Sequence, residues 1–416
     1  WKTDHSGHES SGFTRLTSDD TGIFVMRGKG IRLCIFIVIL GCFFFPRTVH
    51  ATEIRNKDEQ AELQKEAEET LWEEFEFSEI EDLLDDIFPE KKTDFQDLIK
   101  GMLNGETEPS LQVIGEMISD QFFYEWKSSK AGMVHILLIV IVAAVFTNFS
   151  NVFQNKQISE ISFYVLYLLL ITIGLNSFRI LIVSASENLE RLIGFMKVLG
   201  PVYFLAVAFA AGSSTSILFY NLVLLLIYLV ELVILNFLIP FVQVYIVVKV
   251  MNNLSEEDYF SKFAELCETV IAWTLKTLLA GVTGVNIIQG LLSPAIDSLK
   301  RSVVGRSAEA IPVVGDAIGG VTEVMLGTAI LIKNGIGVAG ALVCIGICLV
   351  PIIQMAVVTL LYKLIAAMIQ PVSDKRIVGC ISSIADGSQM LLRIIFTTGV
   401  LFLLTIAVVT ATTMAG

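Results

Sequence analysis

The residues with the most chemical potential are ionisable groups set inside long apolar runs. Glu231 lies near the middle of the run 217–239, Lys276 interrupts the run 270–292, and Glu323 falls within 317–332. A charge in hydrocarbon is costly, so such a residue faces other helices or water and is a functional candidate by default. Opposite charges on neighbouring helices would offset each other's desolvation, and Lys276 and Glu323 are the candidate partners of Glu231. Two roles stay open for these three residues: a functional intramembrane site, or a packing pair that sets helix register. Arg179, Lys363 and Arg393 sit near the ends of their runs, where long side chains snorkel to the interface.

Other chemistry finds little support. Gly335-Ile336-Gly337-Val338-Ala339-Gly340 has the spacing GxGxxG, but no strand pattern precedes it and the position about twenty residues on is Leu360, not an acid. With Gly319, Gly320, Gly327 and Gly346 nearby, close helix–helix packing in lipid explains it better. Beyond residue 51 the only histidine is His135, so a His-based triad or a HExxH zinc site cannot be built. Asp297, Asp316, Asp374 and Asp386 fall in expected loops or near the ends of apolar runs, which argues against an intramembrane aspartyl pair. No P-loop is present to power transport. Cys267, Cys344, Cys348 and Cys380 form no CxxC pair, and Cys344 and Cys348, one turn apart in an apolar run, read as small hydrophobes. The expectation is no enzyme, no catalytic residues, no metal and no cofactor.

The elements that must position these residues are membrane helices. Hydrophobic residues make up 54% of the 416 and charged ones only 17%, with a mean hydropathy of +0.70, well away from a soluble domain. Residues 52–130 hold 23 Asp/Glu against 8 Lys/Arg, a balance of −15 against −13 for the whole chain, so the remainder sums to about +2. One acidic segment is attached to a nearly neutral apolar body. Residues 26–51 have the layout of a secretory signal peptide: a basic start with Arg27, Lys29 and Arg32, a short apolar core, and Val49-His50-Ala51 as a cleavage site. Met26 is then the expected start, with 1–25 an upstream translated extension; a cytoplasmic extension before an uncleaved anchor is the alternative.

In the acidic segment, Leu63, Ala67, Leu71 and Phe75, then Ile80, Leu83, Leu84 and Ile87, recur at helical spacing up to Pro89. Thr93 with Gln96 reads as a capping box, followed by the stripe Phe95, Leu98, Ile99, Met102 and Leu103. Leu111, Ile114, Ile118 and Phe122 mark a third helix. These faces either pack on one another, the favoured reading, or dock on partner proteins or the membrane body. Residues 131–416 form the membrane domain, with candidate spans at 133–149, 161–183, 195–211, 217–239, 270–292, 317–332, 335–369 and 391–413. The run 335–369 exceeds one span and contains Pro351, so it must tilt, kink or break. The fold class is therefore all-α: a polytopic helical membrane protein of seven to eight transmembrane helices, with a small acidic helical N-terminal extracytoplasmic domain. Eight crossings are preferred because they put Lys300, Arg301 and Arg306 on the same cytoplasmic side as Lys375 and Arg376. Pro371 ends the helix before it at Gln370. Lys375 and Arg376 could contact a cytoplasmic partner or simply anchor the topology.

Three runs carry a resemblance. They are Ala310-Ile311-Pro312-Val313-Val314-Gly315-Asp316-Ala317-Ile318-Gly319-Gly320-Val321-Thr322-Glu323-Val324, Leu331-Ile332-Lys333-Asn334-Gly335-Ile336-Gly337-Val338-Ala339-Gly340 and Gln370-Pro371-Val372-Ser373-Asp374-Lys375-Arg376-Ile377-Val378-Gly379-Cys380. They strongly resemble the stage III sporulation protein AE family of endospore-forming bacteria, and the general plan is similar over residues 26–416. The resemblance implies a multi-pass protein of the mother-cell (outer forespore) membrane. It implies a part in the channel or feeding-tube complex built from stage III A operon proteins, including a separate ATPase, and stage II protein Q. That complex is needed for late forespore gene expression. No nucleic acid is expected as a partner; membrane lipid is. The family brings no catalytic residues to carry over. The competing class is a secondary permease for small solutes, but breaks at Pro240 and Pro351 come without the inverted repeat that such a fold would show.

Overall fold

The computed structural model describes 70–72, 74–87, 94–103, scattered helical positions between 119 and 142, and 156–412 except 212, 255–258, 309–314 and 372. For 156–160, 162–163, 211, 213–216, 218–219, 289–308, 315–323 and 412 it describes backbone alone. The expected extension, signal peptide and most of the 133–149 span lie outside these residues. All described residues belong to one compact unit, 55–416.

Every regular element among the described residues is helical. Two short helices, α1 (Ser78–Ile87) and α2 (Phe95–Leu103), precede α3 (Lys156–Ala211), α4 (Ser213–Val233), α5 (Ile239–Leu254), α6 (Ser261–Ala308), α7 (Gly315–Ile369) and α8 (Lys375–Thr412). Five helical segments are long and apolar enough to cross a membrane: Tyr164–Ala210, Tyr220–Leu254, Ser261–Ile288, Val324–Ile369 and Lys375–Ala411.

Two pairs of expected spans prove to be single helices. Residues 161–183 and 195–211 both lie in α3, a helix of 56 residues. At the helical rise it reaches about 84 Å, against a hydrocarbon core of about 30 Å. The polar stretch between the two expected spans does not turn the chain. Ala185, Leu189, Leu192, Ile193 and Met196 stay buried at i, i+4, i+7, i+8 and i+11, so the helical period runs straight through. In the same way 317–332 and 335–369 join in α7, because Lys333 sits buried inside the helix instead of marking a loop. At Pro240 the helix also continues. Pro240 has no N–H for the Asn236 carbonyl, and the chain widens into a π turn, Ile234–Leu238, in which the Ile239 N–H reaches back to the Ile234 carbonyl.

Helix α8 is the spine of the bundle, packed by α7, α5, α6 and α3. Ile381, Ala385, Leu391, Ile394, Leu401 and Phe402 on it are buried. Contacts at Gly387 with Ile246 and Phe178, and at Gly399 with Cys348, leave no room for larger side chains. A Cβ at Gly399 would lie 2.8 Å from the Cys348 sulfur.

The acidic segment does not stand apart. Trp72, Phe75, Phe77 and Phe95 form an aromatic cluster with ring centroids between 5.7 Å and 6.3 Å apart. The Lys100 ammonium lies 5.5 Å from the centre of the Trp72 ring. Helix α2 is capped by Asp94, whose Oδ1 accepts the N–H groups of Gln96 at 2.9 Å and Asp97 at 3.2 Å; Thr93, the expected cap, lies outside the described residues. The chain before α1 meets α2 through Phe77 and Phe95, and both helices also pack on the long ones, α1 on α3 and α2 on α7. Phe75 meets Phe209 of α3 edge-on at 6.0 Å, and Ile99 and Leu103 cover Gly335 of α7. Ile80, Leu84, Phe95 and Ile99 are each at most 1% exposed. Their burial contributes about 1.5–3 kcal/mol per side chain. From Gly335 to Ile369, α7 runs about 51 Å at the helical rise. Helix α2 therefore docks far along α7 from the turn at 370–374.

Candidate functional site

The densest polar chemistry lies on the seam between α5 and α8. Both helices are mostly apolar, yet each turns one polar edge toward the other at helical spacing: Tyr245, Lys249 and Asn253 on α5, Gly379, Ser383 and Asp386 on α8. The Lys249 Nζ donates to the Asp386 Oδ2 at 2.6 Å and to the Tyr245 hydroxyl at 2.8 Å, and it lies 5.2 Å from the Tyr245 ring centre. Of the Lys249 side chain 30% stays exposed and of the Asp386 side chain 32%, so this pair is largely withdrawn from water. One turn further on, the Asn253 amide donates to the Ser383 hydroxyl at 2.8 Å, which donates in turn to the Gly379 carbonyl at 2.8 Å. Tyr167 of α3 closes this end by donating to the Val250 carbonyl at 3.3 Å. A Cβ at Gly379 would lie 2.7 Å from the Asn253 Oδ1. The small residue is what lets the two helices come this close.

Further polar bridges link the other helices. Glu231 Oε2 on α4 meets Lys197 Nζ on α3 at 2.7 Å. Ser184 of α3 donates to Gln354 of α7 at 3.0 Å, the Tyr203 and Thr410 hydroxyls share a hydrogen bond of 2.7 Å, and Asn286 of α6 donates to Thr405 of α8 at 3.4 Å. Each bridge joins two different helices and so fixes their register. The Tyr203–Thr410 bond borders an apolar recess between α3, α4 and α8, which Phe204, Val207 and Val223 also line.

Of the residues singled out in sequence, Glu231 and Lys276 are not brought together. Glu231 is ion-paired, but with Lys197 and not with Lys276, which is exposed on α6. Glu323 lies in α7, where the backbone alone is described. The two basic residues after the turn at 370–374 differ. Lys375 is exposed, whereas Arg376 folds back on Asp374: its backbone N–H and its Nε reach the Asp374 Oδ1 at 2.8 Å and 3.3 Å. Asp374 is thus the N-cap of α8, and α7 ends at Ile369, one residue before the expected Gln370. Asp386 is the twelfth residue of α8 and not a loop or end residue.

Lys249, Lys197 and Lys333 stood out in no sequence pattern, and Asp386 only as a residue of an expected loop. Lys333 is fully buried in α7, two residues before Gly335. A signal existed for Asp386, because Ser382, Ser383, Asp386 and Gln389 mark one polar edge at helical spacing. Placing the start of the last apolar run at Leu391 hides it. Chemically, the seam offers a carboxylate, an ammonium and a phenol in one hydrogen-bonded row. That set can lock two helices or hold a proton, and it lacks the nucleophile–base pair that covalent catalysis requires. Among the described residues no three His, Cys, Asp or Glu side chains converge as a metal site would need.

Comparison with known proteins agrees with the three runs quoted from the sequence. The family described as Stage III sporulation protein AE matches residues 93–413. The Stage III sporulation protein AE of Bacillus subtilis (strain 168) is 23% identical over 308 residues, covering 74% of this chain and 77% of that protein. No solved structure matches.

Proposed function

The chain belongs to the stage III sporulation protein AE family, and on that premise we propose that it is a non-enzymatic, multi-pass component of a conduit complex in the mother-cell (outer forespore) membrane during sporulation. Family membership over residues 93–413 carries the proposal. It makes this a sporulation protein, and the apolar helices make it a protein of the membrane.

In this reading the bundle is a scaffold in which polar pairs fix the register of long helices. Its partners are the other stage III A operon proteins, a separate ATPase among them, and the stage II protein Q complex, and its purpose is to sustain late forespore gene expression. The docking of α2 on α7 at Gly335, about 51 Å along that helix from its end at Ile369, supports opposite faces for the acidic helices and Lys375. The acidic helices then face the intermembrane space and Lys375 the mother-cell cytoplasm, in keeping with the positive-inside rule.

The test is to tag the mother-cell copy in sporulating cells, cross-link, and identify what co-purifies. Recovery of the operon partners is the expected result. Their absence, together with solute uptake by the purified chain in liposomes, would replace the conduit with a permease.

A further inference from the structure

On the face of the bundle where α7 meets α8, one more polar bridge joins the two helices, and a cation lies one helical turn from it on α8. The Lys363 Nζ donates to the Gln389 Oε1 at 2.5 Å. Arg393 follows Gln389 by one turn on the same face of α8. Lys363 and Arg393 are exposed, and among the described residues no carboxylate pairs with either. The nearest acid along α8, Asp386, is taken by Lys249 on the side toward α5.

The donor inventory decides what such a group can hold. Lys363 keeps two ammonium N–H donors after its bond to Gln389, the Gln389 amide supplies two more, and the Arg393 guanidinium supplies five in a planar fork. Two exposed cations and a row of N–H groups, with no carboxylate among the described residues paired to either cation, are the chemistry of an oxyanion site, and phosphate matches the guanidinium fork. The surroundings say what the phosphate is attached to. Leu360 is 54% exposed, Leu364 47% and Phe396 45%, so apolar surface flanks the group on both helices. A soluble anion would gain nothing from that surface, whereas acyl chains would cover it.

We propose that Lys363, Gln389 and Arg393 form a binding site for the phosphate of an anionic phospholipid on the α7–α8 seam, with the lipid tails lying along Leu360, Leu364 and Phe396. Basic groups between membrane helices are a recurrent way to hold acidic headgroups. By bridging two antiparallel helices, a bound lipid would tighten the hairpin that the turn at 370–374 closes.

The full chain, purified in a mild detergent, tests this by native mass spectrometry with phosphatidylglycerol and phosphatidylcholine added in equal amounts. The wild type is expected to retain phosphatidylglycerol at least threefold over phosphatidylcholine, and K363Q/R393Q to lose that preference. R191Q, which removes an exposed cation of α3, is expected to keep it. Equal retention of the two lipids by the wild type overturns the site without need of any variant. Preference retained in a monodisperse K363Q/R393Q overturns the assignment to these residues. Inorganic phosphate separates the sources: if it displaces the retained lipid at low millimolar concentration, the site is one for free anions and the lipid proposal fails.

Discussion

Replacing Lys249 with Met tests whether the α5–α8 seam is held by its charges. The substitution keeps most of the volume and removes one partner of a 2.6 Å ion pair. Exposed pairs are worth at most about 1 kcal/mol, whereas breaking a buried one costs about 3–5 kcal/mol because a desolvated charge remains. With 30% and 32% of the two side chains exposed, the pair falls between these limits. The expected loss is about 2 kcal/mol. The Tyr245 hydroxyl loses a donor at the same time. D386L leaves the ammonium stranded instead, at a similar cost. The double variant strands neither charge and places two apolar side chains against each other. Its loss is expected to fall short of the sum of the single losses by about 1–2 kcal/mol. Thermal unfolding of the purified chain in one detergent, followed by intrinsic fluorescence, measures all four proteins. Strict additivity within about 0.4 kcal/mol would show that the pair is not coupled, and the inference from burial would be wrong.

Gly387→Leu is expected to be worse than either single charge variant, because Ile246 and Phe178 already occupy the space a side chain would need; loss of monodisperse protein on gel filtration is the measurable sign. Glu231→Gln leaves a partner, Lys197, that is 47% exposed and stays hydrated. It is expected to cost less than about 1 kcal/mol in the same thermal assay. Gly335→Leu removes the seat of Ile99 and Leu103, so α2 should become cleavable by protease in folded protein while the long helices stay protected. Burial, and after it the hydrogen bond and the charge of Asp94, hold the Glu81 carboxyl above its ordinary range. The folded state therefore binds the proton more tightly than the unfolded one, and docking of α1 is favoured at low pH and weakens as pH rises past about 4.5. Glu81→Gln should abolish that dependence in hydrogen exchange of α1 measured across pH.

The composition, the helical periods and the contrast between an acidic stretch and an apolar body were all legible in the chain; the docking of the acidic helices on α3 and α7 was not. Each is a local property: a 3.6-residue stripe or a long apolar run specifies a helix whatever surrounds it. The three quoted runs pointed to the family for the same reason. The boundaries were harder to read. Glu187, Glu190 and Arg191 look like a loop between two spans, but charged residues on the outer side of a helix do not break it while the inner stripe continues. Pro240 and Pro351 look like breaks, yet the chain widens into a π turn before Pro240 and α7 runs on through Pro351.

Pairing was decided by the tertiary structure alone. Nothing local tells Glu231 to choose Lys197 over Lys276, because one lysine lies far before it in the chain and the other far after it. The choice follows from which face α3 and α6 turn toward α4. Lys249 and Asp386 are 137 residues apart and meet because Gly379 and Gly387 let α5 and α8 approach closely. A sequence specifies which side chains carry charge and on which stripe of their own helix they sit. Which charges are neutralised, and which stay exposed as Lys363 and Arg393 do, depends on how the stripes face one another once the helices pack.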